Sequence, residues 1–365
     1  QAVQSAVETG AGAIGLLRSE FLAPEDGRLP NAAFYRAAFR ELCETAGGRP
    51  LTIRLFDVAV SKRPAWLHLS PADAGVLGRQ GVRLYADEPV HGIYLAQLQA
   101  IAALAPEFEV RVLLPYVADL AELQYWRDDI KQQLAYPVAV GAMAETPAAA
   151  LQLREWLEVV EFVAIGCNDL MQCLFGADRD QPELHRYLDP YAPALYRFLR
   201  QVADAVQDRL DAVQLCGVLP QLPGILPLLL GLGYRAFSVE ATLLPYLWST
   251  IAGTHAGDAR MLAERVCRAR SSAPSAKYWV RPDIGNHNSK VRSWPILLKT
   301  PVSASGEKFL DAMRGFVITD MRGHKCFPVR TAHPTVSRFN AACGQCGDAC
   351  SGRFGTYSTY GWNYP

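Results

Sequence analysis

Apolar, β-branched runs recur through residues 1–270 with amphipathic stretches between them, the pattern of repeated βα units. Strands are predicted over residues 13–17, 51–56, 110–114, 138–143, 162–165, 212–215 and 236–239. Apolar residues return every three or four positions over 31–45, 120–134, 146–158, 191–209 and 258–269, which predicts helices. The alternation predicts an α/β fold, a (β/α)8 barrel of the TIM type. Its eighth strand is either the weak run 82–85 or lies before residue 1. Past residue 270 the alternation stops. A Ser-Ser-Ala-Pro-Ser linker opens 271–282, and 283–365 form an irregular tail whose Gly-, Cys-, Ser- and Tyr-rich end is expected to be poorly ordered.

Length and charge narrow the function. The 365 residues hold one barrel of about 250 residues and roughly a hundred more. The 36 basic and 36 acidic side chains cancel, so neither nucleic acid nor a membrane surface is an expected partner. The longest apolar stretch, 219–232, is broken by Pro220, Pro223, Gly224 and Pro227 and is shorter than the ~20 residues of a membrane span. Residues 1–10 lack the composition of a signal peptide, and nine cysteines, an odd number, suit a reducing compartment. A cytoplasmic protein is expected, and Gln1 at the head of a helical run suggests one cut from a longer chain.

The chemistry sits where strands end. Arg18 and Arg54 each close an apolar run, Glu145 and Asp169 close two others, and Cys216 closes another. Polar groups issuing from the same end of successive strands are how such a barrel builds an active site. Two guanidiniums suit phosphate or carboxylate oxygens and stay charged when desolvated. Glu145 and Asp169 on neighbouring strands, about 4.8 Å apart, can share a divalent ion, and two carboxylates with open positions suit Mg²⁺. Asn168 can donate to a substrate oxygen, and Arg179 can reach back over the site. Each has a plainer reading when taken alone. Arg18 is equally an arginine satisfied by Glu20, Glu145 a helix-start charge, Arg179 a partner of Asp178 and Asp180, and Cys216 an apolar filler.

Six segments occur in a familiar order: residues 15–21 (GLLRSEF), 141–149 (GAMAETPAA), 166–172 (GCNDLMQ), Asp178-Arg179, Cys216-Gly217 and 230–233 (LGLG). Together they resemble the phosphoenolpyruvate-binding barrel of Enzyme I of the bacterial sugar phosphotransferase system, related to pyruvate phosphate dikinase and phosphoenolpyruvate synthase. Residues 216–221 and 237–241 are similar to the fused multiphosphoryl transfer proteins. The resemblance implies that Arg18 and Arg54 hold the phosphoryl group and that Glu145 and Asp169 hold Mg²⁺. It further implies that Asn168 and Arg179 fix the substrate carboxylate, that Cys216 is the acid for the enol carbon, and that the barrel forms a homodimer. The partner it implies is a histidine on another domain, followed by a phosphocarrier protein.

Several positions depart from that pattern. Val58-Ala59-Val60-Ser61-Lys62 replaces Ile-Gly-Gly-Asp-Lys, Gln80 replaces an arginine although Arg83 remains, and Val218 replaces a glutamate. No histidine lies in a Gly-Gly-x-Thr-Ser-His motif; His68, His91, His185 and His255 read as surface or loop residues. In the tail, residues 307–328 faintly resemble the start of a fructose-type IIA domain, with Val329 where its phosphohistidine would stand, and Cys343, Cys346 and Cys350 offer an alternative zinc reading. Two rival functions remain open. One is a Mg²⁺-dependent lyase or dikinase acting on a pyruvate enolate, and the other is a non-catalytic module that senses phosphoenolpyruvate.

Overall fold

The computed structural model describes residues 2–24, 26–58, 67, 77–272 and 316–319, the last four as backbone only. Residues 59–66, with Ser61 and Lys62, lie outside the described residues, as do His68, nearly all of the expected linker, and Cys343, Cys346 and Cys350. The chain divides into units Gln1–Met321 and Arg322–Pro365, and the described residues all belong to the first.

Seven strands form where the apolar runs predict them: β1 Ala13–Arg18, β2 Leu51–Arg54, β3 Val110–Val117, β4 Ala139–Ala144, β5 Phe162–Gly166, β6 Val213–Cys216 and β7 Ala236–Val239. Each pairs in parallel with the next. An eighth, β8 Phe316–Thr319, pairs with β7 and β1 and closes the barrel. This corrects the expected place of the eighth strand, because Gly81–Leu84 is a 3₁₀ turn. The β-branched run at 316–319 lies so far beyond β7 that βα spacing does not point to it.

The helices are α1 Ala2–Glu8, α2 Ala32–Ala46, α3 Val90–Leu104, α4 Leu120–Gln133, α5 Pro147–Leu151, α6 Leu153–Val159, α7 Cys167–Phe175, α8 Pro193–Ala205, α9 Ile225–Gly231, α10 Leu244–Ala252 and α11 Ala256–Arg268. Capping fixes several starts. The side chain of Asn31 accepts from Phe34 N at 3.0 Å, that of Asp119 from Glu122 N at 2.9 Å, and that of Thr146 from Ala149 N at 3.2 Å. The single helix expected over 146–158 is two, since Gln152 (φ −98°, ψ 13°) leaves helical geometry. Helix α3 escapes a periodicity search because nine of its fifteen residues are buried, which erases the polar face.

Side chains pack in two layers. Leu16, Leu113, Met143, Ala164 and Cys216 make a small cluster, while neighbours on the same strands such as Leu17, Val112, Ala142, Ile165 and Leu215 join the larger core with the helices. That alternation is the two-residue period of a strand, and it puts Cys216 in the small cluster rather than against the helices. At Gly231, α9 meets α11 so closely that a Cβ would lie 2.0 Å from Ala259 O. Gly231→Ala is therefore expected to lower stability by about 1–3 kcal/mol through overpacking, read as a shifted urea midpoint at unchanged slope.

Candidate active site

Strands β1 and β2 set Arg18 and Arg54 side by side as register partners. One carboxylate gathers them. Glu20 Oε1 accepts from Arg18 Nε at 2.8 Å and also pairs with Arg54 Nη2. Arg54 Nη1 is 2.9 Å from Asp57 Oδ2 and 3.8 Å from Met143 Sδ. Burial works against the Arg54 charge, but Glu20, Asp57 and Glu145 overcome it and hold the guanidinium above its ordinary range. Arg18 stays partly open to solvent, its guanidinium 4.5 Å from the centre of the Phe21 ring. Glu20 Oε2 and Arg54 Nε are buried and have no hydrogen-bond partner among the described residues.

Glu145 follows β4, and Asp169 lies in the first turn of α7, directly beyond β5. Tyr116 N donates to Glu145 Oε2 at 2.9 Å. Gly166 makes room for this carboxylate, since a Cβ there would lie 2.6 Å from Glu145 Cγ. Burial, and then the charge of Asp169, push the Glu145 carboxyl up to about 8. Asp169 is also raised, by burial first, with Arg179 opposing the rise from 3.1 Å. Two carboxylates that repel each other, Glu145 buried and Asp169 20% exposed, only one of them paired with an arginine, make a donor set that a divalent cation satisfies. Among the described residues no group of three or more His, Cys, Asp or Glu forms a closed cage. Mg²⁺ asks for less, because it uses one or two carboxylates and completes its shell with substrate and water.

These shifts carry a stability prediction. An unfolded glutamate ionises at about pH 4.3, whereas folded Glu145 keeps its proton up to about 8. Between those limits the native state binds more protons, so stability falls as pH rises. In chelator, the thermal midpoint of the wild type should decline relative to that of Glu145→Gln from about pH 5 to 8. Parallel pH profiles for the two proteins would refute the assignment.

Of the remaining groups, Arg179 joins Asp169, while Asn168 and Cys216 bond to neighbouring backbone. Asn168 Oδ1 accepts from Val218 N at 3.0 Å, which leaves its amide nitrogen to donate. Gly217 permits this approach: its φ is 95°, and a Cβ would lie 2.7 Å from Asn168 Oδ1. Arg179 turns to Asp169, not to Asp178 or Asp180, and its own carbonyl is 2.8 Å from His185 Nε2. Cys216, 2% exposed, points its thiol at Ile165 O, 3.3 Å away. Burial, with Cys167 and Glu145 adding to it, keeps that thiol well above its usual range and so protonated.

Residues 1–256 match the family model described as the PEP-binding domain of the PEP-utilising enzymes. The chain belongs to this family. This PEP-binding domain is 32% identical to the phosphoenolpyruvate-protein phosphotransferase of Streptomyces coelicolor over 75% of the chain and 49% of the relative. It is 30% identical to that of Latilactobacillus sakei over 65% of the chain and 42% of the relative. Multiphosphoryl transfer protein 1 of Escherichia coli matches at 27% over 73% of the chain and 33% of the relative. The chain thus spans about a third to a half of the curated relatives it matches. A citrate lyase structure from Burkholderia xenovorans covers 80% of each chain at 15% identity with a TM-score of 0.40.

Six of the seven candidate residues of the PEP-binding domain lie at or just past strand ends, whereas Arg179 lies in the loop after α7, not at a strand end as its place in the sequence suggests. Others were missed. Glu20 read only as a partner for Arg18, yet it serves both arginines. Asp57, three residues past Arg54, was a visible signal, whereas nothing in the sequence marks Tyr116. Of the departures, Val218 is 53% exposed and supplies its backbone to Asn168, and Gln80 hydrogen-bonds Tyr116.

Proposed function

We propose that this barrel binds Mg²⁺-phosphoenolpyruvate and gives the phosphoryl group to a histidine on a domain outside this chain, releasing pyruvate and starting a sugar-uptake phosphorelay. The observation that carries this reading is the pairing of Arg18 and Arg54 on one carboxylate, beside an acid pair and a buried thiol. The names of the relatives, phosphoenolpyruvate-protein phosphotransferase, support it.

Arg18 and Arg54 would hold the phosphoryl oxygens, and Asn168 and Arg179 the carboxylate, so the ester is fixed at both ends. Glu145 and Asp169 would hold Mg²⁺. The ion, when bound, offsets the negative charge that migrates to the enolate oxygen as the phosphorus–oxygen bond breaks. Cys216 then gives its proton to C3 of the enolate to form pyruvate and takes it back in reverse. A phosphocarrier protein would be the next acceptor, and a cytoplasmic homodimer the working form. Among the described residues no helix is long and apolar enough to cross a membrane.

Calorimetry of phosphoenolpyruvate binding, with and without Mg²⁺ and at two temperatures, tests the reading. Saturable binding that Mg²⁺ strengthens is expected. No heat under any of these conditions would overturn it, and binding without phosphotransfer to a supplied histidine domain would favour the sensing module.

A further inference from the structure

Tyr116 is the one non-glycine residue with a positive φ, 52°, among the described residues. A bulky side chain there is strained, and such strain persists only where the surroundings impose it. The strand is irregular at the same place, the β3–β4 register shifting between Leu114 and Val117. The consequence is local and specific. The turn aims the backbone N–H of Tyr116 at Glu145 Oε2, 2.9 Å away.

Three contacts hold the side chain that enforces this turn. The Arg83 guanidinium lies 5.0 Å from the ring centre, and the phenol hydrogen-bonds Gln80 and Cys173. The residue is 3% exposed. Gly81 packs directly against the turn, since a Cβ there would lie 2.6 Å from both Pro115 O and Tyr116 Cβ. Gly81 N also donates to Asp57 Oδ1 at 2.9 Å, and Asp57 pairs with Arg54. One turn therefore ties Glu145 to the arginine side of the site.

We propose that Tyr116 is a positioning residue for the metal site. Its clamped side chain locks the backbone in the left-handed conformation, so that its amide fixes one oxygen of Glu145 and leaves the other to take the cation. Groups that orient a metal ligand in this way typically govern affinity by 10–100-fold. The inference rests on assigning Glu145 and Asp169 to the cation.

Binding of Mn²⁺, followed by electron paramagnetic resonance on the full chain, tests it, with thermal unfolding in chelator reporting the fold. Tyr116→Val, whose branched side chain rejects left-handed backbone, should weaken Mn²⁺ binding by about 10–100-fold. Tyr116→Asn tolerates that backbone and should stay within about fivefold of wild type. Gly81→Ala would press on Pro115 and Tyr116, and with its own φ of 56° resisting a side chain should weaken Mn²⁺ binding as the valine does. Wild-type affinity in both Tyr116→Val and Gly81→Ala overturns the proposal. So does an equal loss in Tyr116→Asn and Gly81→Ala, which decides the matter even if the valine variant fails to fold. A wild-type chain that binds no Mn²⁺ overturns the cation assignment itself, a distinct failure.

Discussion

Arg54→Met is expected to cost about 3–5 kcal/mol of folding free energy, the largest loss of any single substitution in the site. Arg54 is only 5% exposed, and its guanidinium joins Glu20 on one nitrogen to Asp57 on another. Methionine fits the volume but leaves Asp57, 14% exposed, without its cation and Glu20, 6% exposed, with Arg18 alone. A buried pair broken on one side costs far more than a pair removed whole, because an uncompensated charge stays behind. The double variant Arg54→Met/Asp57→Asn should therefore recover part of the loss although it removes a second charge. Arg54→Lys should fall between, keeping the charge but not the fork that reaches both acids. Urea titrations of the four proteins decide it. If Arg54→Met lost less than about 1 kcal/mol, the picture of a buried charge cluster would be wrong.

The same cluster explains where one-dimensional reading stops. An apolar run that ends in a charge is visible along the chain, and so Arg18, Arg54, Glu145 and Asp169 could be assigned to strand ends and the barrel inferred from their spacing. Facing relations are not visible that way. Glu20 looks like a local partner of Arg18 because it is two residues away, and only the β1–β2 register brings Arg54 to the same oxygen. Arg179 lies beside Asp178 and Asp180 in sequence, yet the loop after α7 turns it to Asp169. Strand β8, no shorter than β2, β6 or β7, is too distant from β7 to be counted by periodicity. Tyr116 is further still from legibility, because its role comes from a backbone angle that its residue type disfavours.

Cys216→Ala is expected to slow enolate protonation by about 10²-fold or more while leaving the fold and ligand binding nearly intact. The thiol lies in a small cluster with Leu16, Leu113, Met143 and Ala164, so an alanine methyl is compatible with its surroundings. What alanine lacks is a proton. The buried thiol is held in its protonated form, which keeps the donor loaded at neutral pH, and Glu145 and Asp169 both add to that bias. The step can be followed without an acceptor histidine, by incubating the chain with pyruvate, Mg²⁺ and inorganic phosphate in deuterium oxide and measuring deuterium at the methyl carbon. Wild type should exchange those hydrogens, and faster as pH rises, because taking the first proton from pyruvate needs the thiolate form of Cys216. Cys216→Ser, a weaker acid of similar shape, should fall between wild type and alanine. Exchange in Cys216→Ala at the wild-type rate would remove Cys216 from the chemistry and return it to the role of a small core side chain.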